Sequence, residues 1–122
     1  MLFLFTAIYP EGKPFIEHYG LKKIPDKKFD IFMRDDVVLC VTGVGKVNSS
    51  VAVSHVLTLF EAREEDIAIN IGIAAGREYG KKFIINSITD NDSDRRFYPD
   101  MIRELDLEEA QLTTVSMPAL EE

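Results

Sequence analysis

The chain begins with a continuous apolar run, Leu2–Ile8, and this run limits the folds that are open to it. Its residues do not alternate between apolar and polar, so it predicts a strand that is covered on both faces. The run is too short to cross a membrane as a helix, and it lacks the basic residues of a signal peptide. It is therefore interpreted as a buried first strand, which Tyr9-Pro10 ends.

The rest of the sequence alternates between strand and helix patterns. Further strands are predicted at Phe29–Met33, Val37–Thr42, Ile67–Ile71 and Lys82–Thr89, and an edge strand at Leu112–Val115. Helices are predicted at about Pro14–Tyr19, which Gly20 ends, and at Val47–Phe60, with a short helix at Leu105–Glu109. A polar loop is predicted at Gly20–Lys28 and an acidic loop at Asp90–Asp94. This order predicts an α/β layer structure with a mixed β-sheet, in one domain over residues 1–122.

Composition argues against several classes of function. The 122 residues contain 14 Lys+Arg and 21 Asp+Glu, and a net charge of −7 argues against nucleic-acid and anionic-membrane binding. The single cysteine, Cys40, excludes an internal disulfide and is predicted to be a small buried apolar residue. A cytoplasmic location fits this cysteine usage.

Metal, cofactor and serine-nucleophile chemistry find no support in the sequence. His18 and His55 lack neighbouring ligands, so no metal site is expected, and His55 is predicted to be structural. Asp90–Asp94 begins like a calcium loop, but Arg95 stands where the turn glycine would be needed. No serine lies in a GxSxG turn.

Three loops follow predicted strands, and ligands of α/β sheets bind at the carboxyl ends of strands. They are Tyr9-Pro10-Glu11, Gly43-Val44-Gly45-Lys46 and Gly72–Gly76. The second loop is not a Walker A loop, because Cys40 stands where a glycine is required. It is either a ligand-binding turn at a helix N-terminus or simply a tight turn. Glu11, taken alone, is either a functional carboxylate or a glutamate favoured by a helix dipole.

Three motifs in these loops together carry a family resemblance. They are Ala7-Ile8-Tyr9-Pro10-Glu11, Thr42–Asn48 with its GVGKVN sequence, and Ile69–Gly76. In this order and spacing, up to about Asp94, the chain resembles the nucleoside phosphorylase/nucleosidase superfamily and is most similar to 5′-methylthioadenosine/S-adenosylhomocysteine nucleosidases. The resemblance implies a three-layer phosphorylase/hydrolase-like α/β fold with a mixed sheet, of which this chain corresponds to the N-terminal half.

The resemblance also implies a function and a set of site residues. The implied reaction is hydrolysis of the N-ribosidic bond of a purine nucleoside, without a cofactor and in a homodimer. Glu11 corresponds to the glutamate that holds the attacking water. The implied substrate-binding residues are Ile8 and Val44 beside the ribose and its 5′ substituent, and Gly72, Ile73, Ala74 and Ala75 beside the purine and the water.

Two departures from the family pattern weaken the expectation of catalysis. Ile73 replaces a loop serine, and the sequence has no counterpart of the later Met-Glu pair that grips the ribose or of the Asp that protonates the purine. Asp100 and Asp106 lie in a different sequence context. We therefore expect the chain to be inactive or a poor catalyst by itself, so that whether it is an enzyme stays open.

Two alternative functions stay open as well: a nucleoside- or base-binding module, or part of a nucleoside phosphorylase. Phosphorylases need cations for phosphate, and the first loop offers Glu11 and Lys13, which favours water as the nucleophile. A homodimer is expected because three apolar strands would be exposed in half a sheet: Leu2–Ile8, Val37–Thr42 and Ile67–Ile71.

Overall fold

The computed structural model describes residues 1–77, 79–100 and 106–115. Contacts between residues divide the chain into two compact units, Met1–Ala74 and Ala75–Glu122. A single domain over residues 1–122 stays a prediction.

The first unit contains a five-stranded sheet and two helices. Its elements are β1 (Leu2–Thr6), α1 (Tyr9–Tyr19), β2 (Lys22–Ile24), β3 (Asp30–Arg34), β4 (Val37–Val41), α2 (Lys46–Leu59) and β5 (Ile67–Asn70). The strand order is β2-β3-β4-β1-β5. Strand β1 is parallel to β4 and β5, whereas β2, β3 and β4 are antiparallel neighbours. The predicted mixed sheet is confirmed.

Both faces of this sheet are covered by a helix. Phe3 and Phe5 pack in one cluster with Val56 of α2, whereas Leu4 packs in another with Ile16 of α1. Successive residues of a strand point to opposite faces, so the two helices lie on opposite sides of β1. This three-layer arrangement explains why the first apolar run does not alternate.

The expectation that the apolar strands are exposed is wrong for β1 and β4. Phe3 and Phe5 of β1 and Val38 and Cys40 of β4 are buried, because the two helices of the first unit already cover both faces. Only β5 fits the expectation, since Ala68–Asn70 are exposed.

Helix α1 begins earlier than the sequence predicts. It starts at Tyr9, so that Pro10 lies in the first turn, where a missing N–H has no partner to lose, and Pro14 lies inside the helix. Gly20 ends it, as predicted, and has the left-handed conformation at φ 63°. The segment predicted to be a polar loop contains β2, which forms because it pairs with β3 in the sheet.

The predicted hairpin and long helix are confirmed. Strands β3 and β4 pair with Arg34 opposite Val37, and the turn between them contains Asp35 at φ 52°. Helix α2 ends within one residue of the predicted Phe60. Cys40 is buried, as predicted.

The described part of the second unit is a three-stranded sheet. It contains β6 (Phe83–Asp90), β7 (Arg95–Phe97) and β8 (Glu108–Thr114), in the order β7-β6-β8. The predicted short helix is wrong at Glu108 and Glu109, which pair in parallel with β6; Leu105 lies outside the described residues. The predicted edge strand is confirmed with a longer extent.

Among the described residues, no helix has both the length and the apolar character needed to cross a membrane.

Candidate functional site

Three parallel strands of the first unit end at the same edge of the sheet, with β1 between β4 and β5. Backbone hydrogen bonds continue beyond the strands into their loops. The N–H of Gly43 donates to the carbonyl of Ala7 at 3.0 Å, and the N–H of Ile71 donates to the carbonyl of Phe5 at 2.9 Å. The loops after β4 and β5 are therefore both attached to the segment around the end of β1.

Glu11 caps the helix that follows β1. Helix α1 is preceded by Ile8, whose side chain offers no hydrogen-bond acceptor. The side chain of Glu11 supplies it: Oε1 accepts hydrogen bonds from the N–H groups of Ala7 at 3.1 Å and Ile8 at 3.3 Å. Free N–H groups at the start of a helix favour such a carboxylate. Glu11 is therefore a helix-terminal glutamate, which was one of its two interpretations.

The other oxygen of Glu11 reaches a different loop. Its Oε2 accepts a hydrogen bond at 2.9 Å from the N–H of Ile73, 62 residues further along the chain. A carboxylate has about four acceptor positions on its two oxygens, and three backbone N–H groups account for three of them. Among the described residues no fourth donor is present, which leaves one acceptor position for a water molecule or a ligand hydroxyl.

Gly72 places no side chain beside this oxygen. A Cβ atom at residue 72 would lie 3.5 Å from Oε2 of Glu11, and glycine has none. Glu11 is half-buried and Gly72 is exposed. The carboxylate is thus fixed by backbone groups on one side and open to a small molecule on the other.

The loop after β4 presents an apolar side chain on a rigid turn. Gly43 and Gly45 have φ values of 87° and 100°, which strongly favour glycine. The side-chain amide of Asn48 donates to the carbonyl of Val44 at 2.8 Å and holds the turn from within α2. Val44 itself is 71% exposed.

The structure brings most of the predicted site residues to this edge. Ile8 and Ile73 flank the Glu11 carboxylate through their own N–H groups, and both side chains are exposed, Ile73 by 85%. Ala74 is also exposed. Exposed apolar side chains beside a fixed polar group are typical of small-molecule sites. Ala75 is exposed and is the first residue of the second unit.

Sequence reasoning missed two residues beneath Glu11. Thr6 is completely buried at the end of β1, and Gly12 is buried in the first turn of α1. The available signal was a glycine directly after Glu11 inside a helix, where glycine is intrinsically unfavourable.

His55 makes a structural contact, in line with its predicted role. Its Nε2 lies 2.9 Å from Oδ1 of Asp26, and the other oxygen of Asp26, Oδ2, accepts hydrogen bonds from the N–H groups of Lys28 and Phe29. The hydrogen bond to His55, with that from the Phe29 N–H next, lowers the pKa of Asp26 to about 2. Among the described residues, no group of three or more potential ligands could hold a metal ion.

Comparison with known proteins finds structural matches only. No protein-family model and no curated protein matches the sequence. The 5′-methylthioadenosine/S-adenosylhomocysteine nucleosidase of Neisseria meningitidis, in complex with methylthio-immucillin-A, superposes with a TM-score of 0.77 at 20% identity, over 95% of this chain and 64% of that one. The corresponding enzyme of Campylobacter jejuni gives 0.76 at 16%, over 98% and 66%. Native futalosine hydrolase of Helicobacter pylori gives 0.78 at 11%, over 99% and 68%.

The chain has the fold of these nucleosidases. The phosphorylase/hydrolase-like fold that the three motifs predict is thereby confirmed. The chain spans about two thirds of the length of the nucleosidase structures, 64% in the Neisseria enzyme. At identities of 11–20% the likeness to the nucleosidases establishes the fold, and the activity of this chain is a separate question.

Proposed function

We propose that the chain binds a purine nucleoside at the edge where β1, β4 and β5 end, with Glu11 as the polar group that fixes the ligand or its attacking water. The observation that carries the proposal is the Glu11 carboxylate, which three backbone N–H groups hold and which keeps an open acceptor position beside Gly72. The names of the structural neighbours, nucleosidase and futalosine hydrolase, support a nucleoside as the ligand.

The reaction that fits this site is hydrolysis of the N-ribosidic bond. The oxygen of water would form a bond to C1′ of the ribose while the bond from C1′ to the base breaks. The electron pair of the broken bond would leave with the base. Glu11 would accept one proton of the water, the other would stay on the new C1′ hydroxyl, and the base would take its proton from the solvent on leaving. A fixed carboxylate within hydrogen-bond reach of the water is the group that this chemistry needs.

The apolar side chains around the carboxylate support a ligand with an apolar part. Ile8, Val44 and Ile73 are all exposed on the three loops. An exposed apolar group is favourable when a ligand covers it. We propose that they contact the ribose and its 5′ substituent, and that Ala74 and Ala75 lie beside the purine.

Turnover by the 122-residue chain is expected to be slow. The resemblance assigns protonation of the base and the grip on the ribose to residues that have no counterpart in this sequence. Assistance by a general acid is typically worth about 10²–10⁴-fold. Binding without rapid release of the base is therefore the expected behaviour, in the cytoplasm, where the free thiol of Cys40 stays reduced.

The deciding experiment is calorimetric titration of the chain with adenosine, 5′-methylthioadenosine and adenine, with uridine as a control. Saturable binding of the purine nucleosides, weakened in Glu11→Gln, supports the proposal, and absence of binding contradicts it. Chromatography of the same mixtures measures release of the base. Release that requires inorganic phosphate would assign the chain to the phosphorylases instead.

A homodimer is the second part of the proposal. Helix α2 buries Ala52 and Val56 against the sheet, but Val47, Val51 and Leu59 are exposed, Val47 by 76%. The helix contains no Asp or Glu although the chain has a net charge of −7, so two copies can approach here with little repulsion. Light scattering should give twice the mass of one chain, and Val51→Glu should give a monomer; a monomeric wild-type chain overturns this part.

A further inference from the structure

Gly12 lies directly after Glu11 and faces the inside of the protein. A Cβ atom at this position would lie 3.0 Å from Oγ1 of Thr6 and 3.1 Å from Cδ2 of Leu39. Both neighbours are completely buried, at the end of β1 and in the middle of β4. They have little room to move, because protein interiors are packed as densely as organic crystals.

This glycine is unfavourable for the helix itself. Glycine inside a helix destabilises it by roughly 0.5–1 kcal/mol relative to alanine. Gly12 has no positive φ that would require glycine, since the positive values belong to Gly20, Gly43, Gly45 and Gly80. Space is therefore the physical reason for glycine at this position: only without a side chain can the first turn of α1 rest directly on β1 and β4.

Thr6 is the other half of this contact. Its Oγ1 is buried and has no hydrogen-bond partner among the described residues. A buried hydroxyl without a hydrogen-bond partner destabilises the folded chain, so the hydroxyl of Thr6 does not stabilise this contact. It does fix the height of the first turn of α1 above the end of β1.

From this geometry we infer that Gly12 is a positioning residue for Glu11. The close approach at Gly12 places the neighbouring carboxylate where it reaches the N–H groups of Ala7, Ile8 and Ile73. A methyl group at position 12 would lift the first turn and separate Oε2 of Glu11 from Ile73. This inference rests on the proposed function in so far as the positioned carboxylate is the one that binds the nucleoside.

The experiment compares Gly12→Ala, Thr6→Ala and the double variant in the full chain. Amide hydrogen exchange of Ile73, measured by NMR without ligand, reports the contact with Glu11. We expect exchange to become at least about tenfold faster in Gly12→Ala, because a hydrogen bond to a charged acceptor is lost. Thr6→Ala alone should leave it unchanged. In the double variant Ile73 should exchange more slowly than in Gly12→Ala, because removal of Oγ1 relieves the shortest contact of the new methyl group, whereas the contact with Cδ2 of Leu39 at 3.1 Å remains.

The amide of Leu39, in the centre of the sheet, serves as the control. A change confined to Ile73 distinguishes positioning from general loss of stability. Unchanged exchange of Ile73 in Gly12→Ala overturns the inference, as does a double variant in which Ile73 exchanges as fast as in Gly12→Ala. Adenosine affinity is measured in parallel: if the wild-type chain binds no nucleoside, the proposed function fails while the exchange data still decide the role of Gly12.

Discussion

The Oε2 atom of Glu11 accepts a hydrogen bond from the backbone N–H of Ile73 at 2.9 Å, and this bond joins the loop after β1 to the loop after β5. The same carboxylate caps helix α1 through Oε1. Its position is therefore determined by the backbone at both ends. A carboxylate with no freedom to rotate can present its remaining acceptor position to a ligand at low entropic cost.

Glu11→Gln should weaken adenosine binding and leave the fold intact. The amide oxygen of glutamine can still accept hydrogen bonds from the backbone. The negative charge is lost, however, and an NH2 group, which is a donor, replaces one of the two oxygens and faces backbone N–H groups. A hydrogen bond to a charged group is worth about 1.5–3 kcal/mol, so we expect affinity to fall by about ten- to a hundredfold. Titration calorimetry measures the affinity, and urea unfolding measures the stability.

The matched control for this change is Glu17→Gln. Glu17 lies on the same helix, is exposed, and pairs only loosely with Lys13 at 3.9 Å. Exposed pairs of this kind contribute little, so affinity and stability should both stay close to wild type. Equal losses of affinity in the two variants would argue against a specific role for the Glu11 carboxylate.

Gly72→Ala should reduce affinity without destabilising the chain. The φ of Gly72 is not positive, so alanine fits the backbone, and the new methyl group would lie 3.5 Å from Oε2 of Glu11. There it would narrow the space beside this oxygen. Stability should stay the same or rise by about 0.4–1 kcal/mol, because alanine reduces the entropy of the unfolded chain.

Gly76→Ala is the control, because a Cβ atom at residue 76 would have no neighbour within 4 Å. Like Gly72→Ala, it reduces the entropy of the unfolded chain, but its methyl group does not lie beside Glu11. We expect adenosine affinity to fall about tenfold in Gly72→Ala, as for the loss of one charge-assisted hydrogen bond, and not in the control. Undiminished affinity in Gly72→Ala would mean that the ligand does not use this side of the carboxylate.

The sequence predicts the strands at the centre of the fold because their pattern of apolar residues depends on which faces of the sheet are covered. The apolar residues of β1 do not alternate since α1 and α2 cover opposite faces, and burial of Phe3 and Leu4 in separate clusters confirms it. The motifs around Glu11, Val44 and Gly72 point to one edge of the sheet because β1, β4 and β5 are parallel. These are local patterns, and the nucleosidase fold follows from them.

The elements that the sequence did not predict depend on pairing with another strand. Strand β2 has the polar sequence Lys22-Lys23-Ile24 and forms because β3 offers it an edge. Glu108 and Glu109 are good helix formers, yet parallel pairing with β6 makes them part of a strand. The contact between Gly12 and Thr6 depends on how closely a helix approaches a sheet, so the sequence offers a signal only for the glycine and none for its partner.

Stability should fall as the pH is lowered from about 4 to about 2, and Asp26 should account for part of this fall. Its pKa is about 2 in the folded chain, below the ordinary 3.8, mainly because of the hydrogen bond to His55. The unfolded chain therefore takes up the proton first, so the stabilisation is complete above pH 3.8 and is lost as the pH falls through 2. Urea unfolding at pH 5, 4, 3 and 2 measures this slope.

Asp26→Asn should make the slope between pH 4 and 2 shallower. Asp35→Asn is the control: Asp35 is an exposed residue at φ 52° in the turn between β3 and β4, and asparagine tolerates this conformation. It should keep the wild-type slope. An identical pH dependence in wild type and Asp26→Asn would show that the contact between Asp26 and His55 does not contribute to acid stability.

The thiol of Cys40 should be inert in the folded chain. Cys40 lies in the core between the sheet and α2, and burial raises its pKa to about 12. Reagents attack the thiolate, so labelling requires the chain to open. We expect labelling by a disulfide reagent to be slower than in the urea-unfolded chain by a factor on the order of 10³ or more, the lower end of folding equilibrium constants.

Ser50→Cys adds an exposed thiol to the same chain and serves as the internal control. It should react in a fast phase of one equivalent, followed by a slow phase from Cys40; two fast equivalents would mean that the core around β4 is not closed.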